Sequence, residues 1–356
     1  MFSARETVLD KPLLAEAGPA ISEKADPISS WFRAAEDLGE YIGIRFGQIL
    51  PGKTAPEWYF LRHTDFDGIG GFAELLRERG AHLPRLPHIR HPALPSGWRL
   101  LRTWGTYAAP RRPVKFEAIE GKPGESSCTQ PPPAVAWHVF DEETTTHIRR
   151  LCRRQHYTVN SFLLKHLTKA IRPFLLDESS VVPWMVPVNM RGKVVRERDT
   201  ANFSSYIGVK VRSFESTRDI HHSVYRSLGR AEHWANWYAY QSGKFLGIGL
   251  KRTLIKAERC TSQWNIGGFS NLGDWDCEKQ ITSAPCATPW LFCPPVLRMQ
   301  LVGAGVVTFQ NRLSLTIQTH PELTTSSNTL WIWIQNWVKE IQIDLASVFP
   351  DAHCQV

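Results

Sequence analysis

His63 closes the apolar run Trp58-Tyr-Phe-Leu-Arg-His63, and Asp67 and Gly68 follow it at fixed distance, giving an H-x-x-x-D-G pattern. Imidazole titrates near neutrality, so a ring at the mouth of a strand can take a proton from an attacking hydroxyl, amine or thiol. An aspartate four residues on can lock the turn that holds the ring. Acyl transfer is the chemistry this arrangement points to.

The flanking residues must build the support. The run from Trp58 to Arg62 reads as a strand, and Ile69 to Gly80 has the apolar spacing of a short helix closed by glycine. Upstream, residues 1–28 read as an irregular lead-in, 28–41 as a helix and 42–50 as a strand. Residues 82–133 are rich in Pro, Arg, Gly and Ser and read as a long crossing with limited regular structure. Downstream, strands are expected at 135–140, 184–190, 206–212, 264–273, 298–307 and 312–319, and helices at 142–155, 161–172, 218–237 and 325–340. This mixture predicts α/β or α+β lobes. The expected division is an N-terminal lobe at 1–133 and a C-terminal lobe at 134–356.

With 356 residues the chain can bury a large core, and its 14 Trp and 17 Phe argue against disorder. No apolar run is long enough to cross a bilayer and no secretory signal is visible, so a cytoplasmic protein is expected. Seven irregularly spaced cysteines lack C-x-x-C pairs, which speaks for reduced thiols rather than structural zinc. The net charge of +8 suits a solvated surface or an anionic partner, such as nucleic acid, lipid head groups, the phosphates of coenzyme A or an acidic carrier protein. Basic residues are scattered, and no motif supports nucleic-acid binding.

Several pieces in order resemble the chloramphenicol-acetyltransferase-like superfamily. It includes condensation domains of nonribosomal peptide synthetases, polyketide-associated acyltransferases, alcohol acetyltransferases and wax ester synthases. The likeness rests on His63-Thr-Asp-Phe-Asp67-Gly68, on Phe140-Asp-Glu-Glu with Thr158-Val-Asn-Ser-Phe-Leu-Leu164, and on Val186-Pro-Val-Asn-Met-Arg191 with Asn202-Phe-Ser-Ser-Tyr206. Phe269-Ser-Asn-Leu-Gly273 and the strand from Leu313 complete it, over roughly residues 40–345. The resemblance implies two lobes of mixed sheet and helix with a tunnel at their interface. It also implies transfer of an acyl group from a coenzyme A or carrier-protein thioester to an alcohol or amine. No permanently bound cofactor is implied; the thioester is a co-substrate. Arg62 stands where condensation domains carry the first of two adjacent histidines, His63 matches the second, and the lead-in is short.

His63 and Asp67 are therefore the candidate catalytic residues, His63 as general base and Asp67 as the member that holds the turn. Gly68, Arg191, Ser270 and Asn271 are the supporting candidates. Arg191 is the expected partner of Asp67, and Ser270 or Asn271 the expected oxyanion donor; Asn189 and Asn202 are weaker candidates of that kind. Each has a plainer reading as a strand-end, turn or surface residue. His63, Asp65 and Asp67 make a poor metal site, and none is expected. His221, His222, His88 and His91 read as surface residues. The aromatic stretch from Trp234 to Tyr240 reads equally as core or as the wall of an acyl channel. The alternative function is a non-catalytic member of the fold that binds an acyl ligand or carrier protein.

Overall fold

The computed structural model describes residues 27–83, 86–88, 95–107, 115–117, 133–176, 181–261, 266–275 and 288–349. In chain order the described elements are α1 (Pro27–Glu36), β1 (Gly43–Gln48), β2 (Glu57–Arg62), α2 (Gly68–Glu78), α3 (Gly97–Tyr107), β3 (Val135–Val139), α4 (Glu142–Arg154), α5 (Val159–Ile171), β4 (Val182–Asn189) and β5 (Ser204–Val211). They continue with α6 (Thr217–Gly229), α7 (Glu232–Ser242), α8 (Ile248–Thr261), β6 (Gly267–Trp275), β7 (Trp290–Cys293), β8 (Val302–Phe309), β9 (Arg312–Thr319) and α9 (Ser327–Ala346).

Two sheets organise these elements. The larger has the order β3-β9-β8-β6-β4-β5, and the smaller has β2-β1-β7. In the larger sheet β6 runs parallel to both β4 and β8, and the remaining pairs are antiparallel. Every residue of β8, Val-Gly-Ala-Gly-Val-Val-Thr-Phe, is buried. A strand covered on both faces has no polar side to present, so it loses the usual alternation. One face of the large sheet packs Phe269, Ala304 and Ile317 against helix residues such as Phe162, Leu163, Trp333 and Trp337. The other face packs Leu272, Val307 and Phe309 with Phe46, Phe72, Trp290 and Phe292 of the smaller unit.

The small sheet docks onto the large one through backbone. A Cβ on Gly305 would sit 1.8 Å from the carbonyl oxygen of Phe292, and one on Gly303 would sit 2.9 Å from that of Pro294. From β9, the Thr316 hydroxyl donates to the Phe292 carbonyl and the Gln318 amide donates to the Pro294 carbonyl. Thus β7, which follows residue 134, belongs to the sheet built by β1 and β2.

Local signals account for several helix starts. Asp141 caps α4 through the Thr144 N–H, Thr158 caps α5 through that of Ser161, and Ser216 with Asp219 forms a capping box on α6. Four expectations change. The Pro-rich segment 82–133 holds a helix, α3, in a stretch from Ser96 to Ala109 that contains no proline; residues 108–114 and 118–132 lie outside the described residues. The helix expected at 218–237 is two helices, broken at Ala231 with φ of +63°. Helix α8 and strand β7 have no counterpart in the sequence reading. Strand β6 starts at Gly267, and the expected start at Trp264 lies outside the described residues.

Cys152 and Cys293 are buried free thiols, each pushed up to about 12 by burial. Cys128, Cys277, Cys286 and Cys354, with most of the lead-in 1–28, lie outside the described residues. Among the described residues no helix is long and apolar enough to cross a membrane.

The docking of β7 on β8 predicts a sharp contrast. Gly305→Ala is expected to lower unfolding free energy by at least about 1–3 kcal/mol, because its methyl meets immovable backbone. Gly229→Ala, with open space around its Cβ position, is expected to change stability little. Urea denaturation of both variants checks this, and equal midpoints would contradict the close approach.

Candidate active site

The site begins where β2 ends. His63 follows the last β2 residue, and its backbone N–H donates to the Ile42 carbonyl at 3.3 Å, which ties it to the start of β1. The side chain folds back over the turn, and its Nδ1 lies 2.7 Å from the Phe66 carbonyl. A carbonyl only accepts, so Nδ1 carries the proton and Nε2 presents the lone pair. Asn202 donates from Nδ2 to the His63 carbonyl at 3.0 Å. Phe32 of α1 stacks on the imidazole, with ring centroids 4.2 Å apart and planes inclined by 23°. The residue is 9% exposed. Burial holds the imidazole below its ordinary pKa, opposed by the Phe66 hydrogen bond and the charge of Asp67. Burial therefore favours the neutral ring.

Asp67 directs its carboxylate to backbone and guanidinium donors. Its Oδ1 accepts from the Gly70 N–H at 2.7 Å as the N-cap of α2, and from Arg191 Nη2 at 2.9 Å. Its Oδ2 accepts from Arg191 Nη1 at 2.8 Å and from the Phe203 N–H at 2.7 Å. Arg191, just past β4, uses the rest of its guanidinium locally. Nε donates to the Asp199 carbonyl at 2.8 Å, Nη2 to that of Ala201 at 2.9 Å, and Nη1 to the Asn189 side chain at 3.2 Å. The guanidinium also lies over the Phe203 ring at 4.5 Å. Both partners are almost fully buried. Asp67 is thus a positioning residue. It joins the start of α2 to the loop 190–203 and so fixes the turn that carries His63.

Glycines let these parts approach. A Cβ on Gly70 would lie 2.0 Å from the Thr200 carbonyl oxygen and 2.9 Å from Arg191 Nη2, and one on Gly68 would lie 2.7 Å from Leu272. Ser270 is buried on β6 and shares the sheet face of Leu272 by the alternation of a strand. That face looks toward α2. Asn271 accepts the Gly273 N–H at 2.8 Å and stabilises the bulge between Asn271 and Asp274, where Gly273 has φ of +83°. Asn189 accepts from the Arg191 backbone N–H at 3.0 Å and donates to the Pro87 carbonyl at 2.6 Å, so it orients Arg191.

His88 is exposed beside Gly192, and His222 is exposed. His221 is half-buried, with its Nδ1 3.4 Å from the Thr158 N–H. His91 lies outside the described residues. Trp234 and Trp237 pack in a third core with Ile28, Met190 and Phe203, while Tyr238 is exposed. Among the described residues no group of three or more His, Cys, Asp or Glu is arranged to hold a metal ion. Sequence reading did not find Phe32, which lies 31 residues before His63 and carries no local signal of its role.

The buried ion pair predicts an asymmetric cost. Arg191→Ala is expected to destabilise the fold by about 3–5 kcal/mol, because it leaves the buried Asp67 carboxylate without its guanidinium partner. Chemical denaturation measures it. A loss below about 1 kcal/mol, the size expected for an exposed pair, would show that the pair is hydrated.

No protein-family model matches the sequence, and no curated protein matches it. Solved structures do match the fold. The TRI3 trichothecene 15-O-acetyltransferase of Fusarium sporotrichioides superposes with a TM-score of 0.56 at 13% identity, over 84% of this chain and 70% of that one. The EpoB cyclization-docking bidomain of a nonribosomal peptide synthetase from Sorangium cellulosum gives 0.53 at 10% identity, over 81% of this chain and 59% of that one. The nonribosomal peptide synthetase FmoA3 gives 0.51 at 12% identity, over 80% of this chain and 31% of that one. The mixed α/β architecture with two sheets is therefore a fold that this chain shares with the TRI3 acetyltransferase, the EpoB bidomain and FmoA3.

Proposed function

We propose that this chain is an acyltransferase that moves an acyl group from a coenzyme A or carrier-protein thioester to an alcohol or amine, with His63 as general base. The observation that carries the reading is the state of His63. The ring is held at Nδ1 by the Phe66 carbonyl, kept neutral by burial, and left with Nε2 as its basic atom. The shared fold with an acetyltransferase supports it.

In the proposed reaction the acceptor enters along the seam between the lobes and gives its proton to Nε2 as its oxygen or nitrogen bonds to the thioester carbonyl. The tetrahedral oxyanion then collapses, the carbon–sulfur bond breaks, and the imidazolium returns the proton to the leaving thiolate. No covalent enzyme intermediate is needed. Ser270 is the oxyanion donor we assign, since it lies on the β6 face that looks toward α2. The Asn271 side-chain oxygen already accepts from Gly273, so Asn271 is the weaker assignment. Asp67, Arg191 and Gly68 act through the placement of His63.

Thiol release from acyl-coenzyme A in the presence of alcohols and amines tests the reaction. His63→Ala is expected to lower turnover by roughly 10²–10⁴ while the protein still folds, as circular dichroism would show. Equal rates for parent and variant would remove His63 from the mechanism. Binding of acyl-coenzyme A or an acylated carrier protein without turnover would leave a scaffold in place of an enzyme.

The pH dependence has a definite sign. Catalysis needs neutral imidazole, and burial disfavours the protonated form. The acid limb of kcat/KM is therefore expected to fall below the ordinary histidine value of about 6.5. A limb midpoint above that value would contradict a desolvated base.

A further inference from the structure

Helix α1 reaches the candidate base from outside the H-x-x-x-D-G turn. Ile28, Phe32 and Ala35 recur at helical spacing along it. Ile28 and Ala35 are buried, and Phe32, one turn after Ile28, is half-buried. Ile28 belongs to the third core with Met190, Phe203, Trp234 and Trp237, and Phe32 packs against that core. Met190 precedes Arg191, and Arg191 and the Phe203 N–H both hold Asp67. One core thus sets both the helix that carries Phe32 and the loop that grips the histidine turn. Other neighbours brace α1. Trp31 Nε1 donates to the Tyr240 carbonyl at 3.3 Å, and a Cβ on Gly243 would lie 2.2 Å from that nitrogen. Lys251 donates to the Ser30 hydroxyl, Arg252 pairs with Asp37, and Glu36 pairs with Arg62 of β2 at 3.1 Å.

This bracing delivers a flat ring to one face of His63. The two rings stack with centroids 4.2 Å apart and planes inclined by 23°. Turning an imidazole about its Cβ–Cγ bond sweeps its edges out of the ring plane, into space that the Phe32 ring fills. The Nδ1 contact with the Phe66 carbonyl at 2.7 Å is a single neutral hydrogen bond, and such a bond confers only a modest preference by itself. A half-turn would exchange Nδ1 with Cδ2 and Nε2 with Cε1, and so present carbon where the basic nitrogen stood. We propose, resting on the acyltransferase reading above, that Phe32 is a positioning residue whose ring locks the His63 imidazole in the one orientation that offers Nε2 to the acceptor. The helix before β1 is then a working part of the site, although it lies outside the motif that marks the site in sequence.

Long-range proton–nitrogen correlation spectra of the full chain, taken well above the ordinary histidine pKa, read the tautomer directly. The His63 signal is assigned by its absence from His63→Ala. The parent is expected to show His63 as the Nδ1–H form alone. Phe32→Ala is expected to mix in the Nε2–H form, and Phe32→Tyr, which keeps a flat ring, to hold the parent tautomer. Phe32→Leu keeps apolar bulk under α1 but no flat face, so it should mix tautomers while its melting temperature stays near that of the parent. With acyl-coenzyme A as donor, kcat of Phe32→Leu should fall roughly ten- to hundredfold, with KM within about twofold of the parent. A single Nδ1–H form in both the alanine and leucine variants overturns the proposal, and so does an unchanged kcat beside mixed tautomers. The two readings fail separately: full turnover in His63→Ala removes the base, whereas an unchanged tautomer in the Phe32 variants removes the lock.

Discussion

The pairing of Asp67 with Arg191 is the constraint on which the site depends. The two residues stand 124 positions apart and meet with two hydrogen bonds in a nearly dry setting. Removing two charges from water costs several kcal/mol each, and Coulomb attraction alone does not guarantee repayment. Here the remaining lone pairs and N–H groups are satisfied by Gly70, Phe203, Asp199, Ala201 and Asn189. The pair therefore permits one arrangement of the α2 N-terminus against the loop 190–203, and His63 sits on the turn between β2 and α2. A looser support would leave the imidazole free to turn away from the Phe66 carbonyl.

A second constraint comes from small residues. Gly68 and Gly70 let α2 touch Leu272 and the Thr200 backbone, and Gly303 and Gly305 let β7 lie on β8. Without side chains at these points, backbone meets backbone, and polar groups of one sheet bond to the other. Thr316 and Gln318 complete that seam. The large sheet consequently has two covered faces, one against helices and one against the smaller sheet. The histidine turn lies where the smaller unit meets the loop after β4, and the oxyanion candidate Ser270 lies on the strand that borders it.

The legible parts of this chain were those set by neighbours in sequence. Caps at Asp141, Thr158 and Ser216 and the alternation of β5 or β9 depend on residues within a turn or two, so they can be read in place. The errors fell where distant contacts decide. Strand β7 is four residues long and fully buried, too short to show a period, and it exists because β1 pairs with it. Helix α8 places lysine inward and leucine outward, which defeats a reading that expects the apolar side to face the core. The break at Ala231 requires a positive φ in alanine, which no local preference favours.

By itself the sequence determined the chemistry on offer: an imidazole at a strand end, an aspartate able to cap the next helix, and glycines where that helix begins. These are matters of residue type and short spacing. How the imidazole is set depends on contacts made in the folded chain. Folding put Phe32 on the ring, turned Nδ1 to the Phe66 carbonyl, buried the ring so that its charged form is disfavoured, and brought Arg191 to Asp67. The physical reason is that tautomer, desolvation and ion pairing depend on surroundings in space, and those surroundings come from residues separated by tens to more than a hundred positions in the chain.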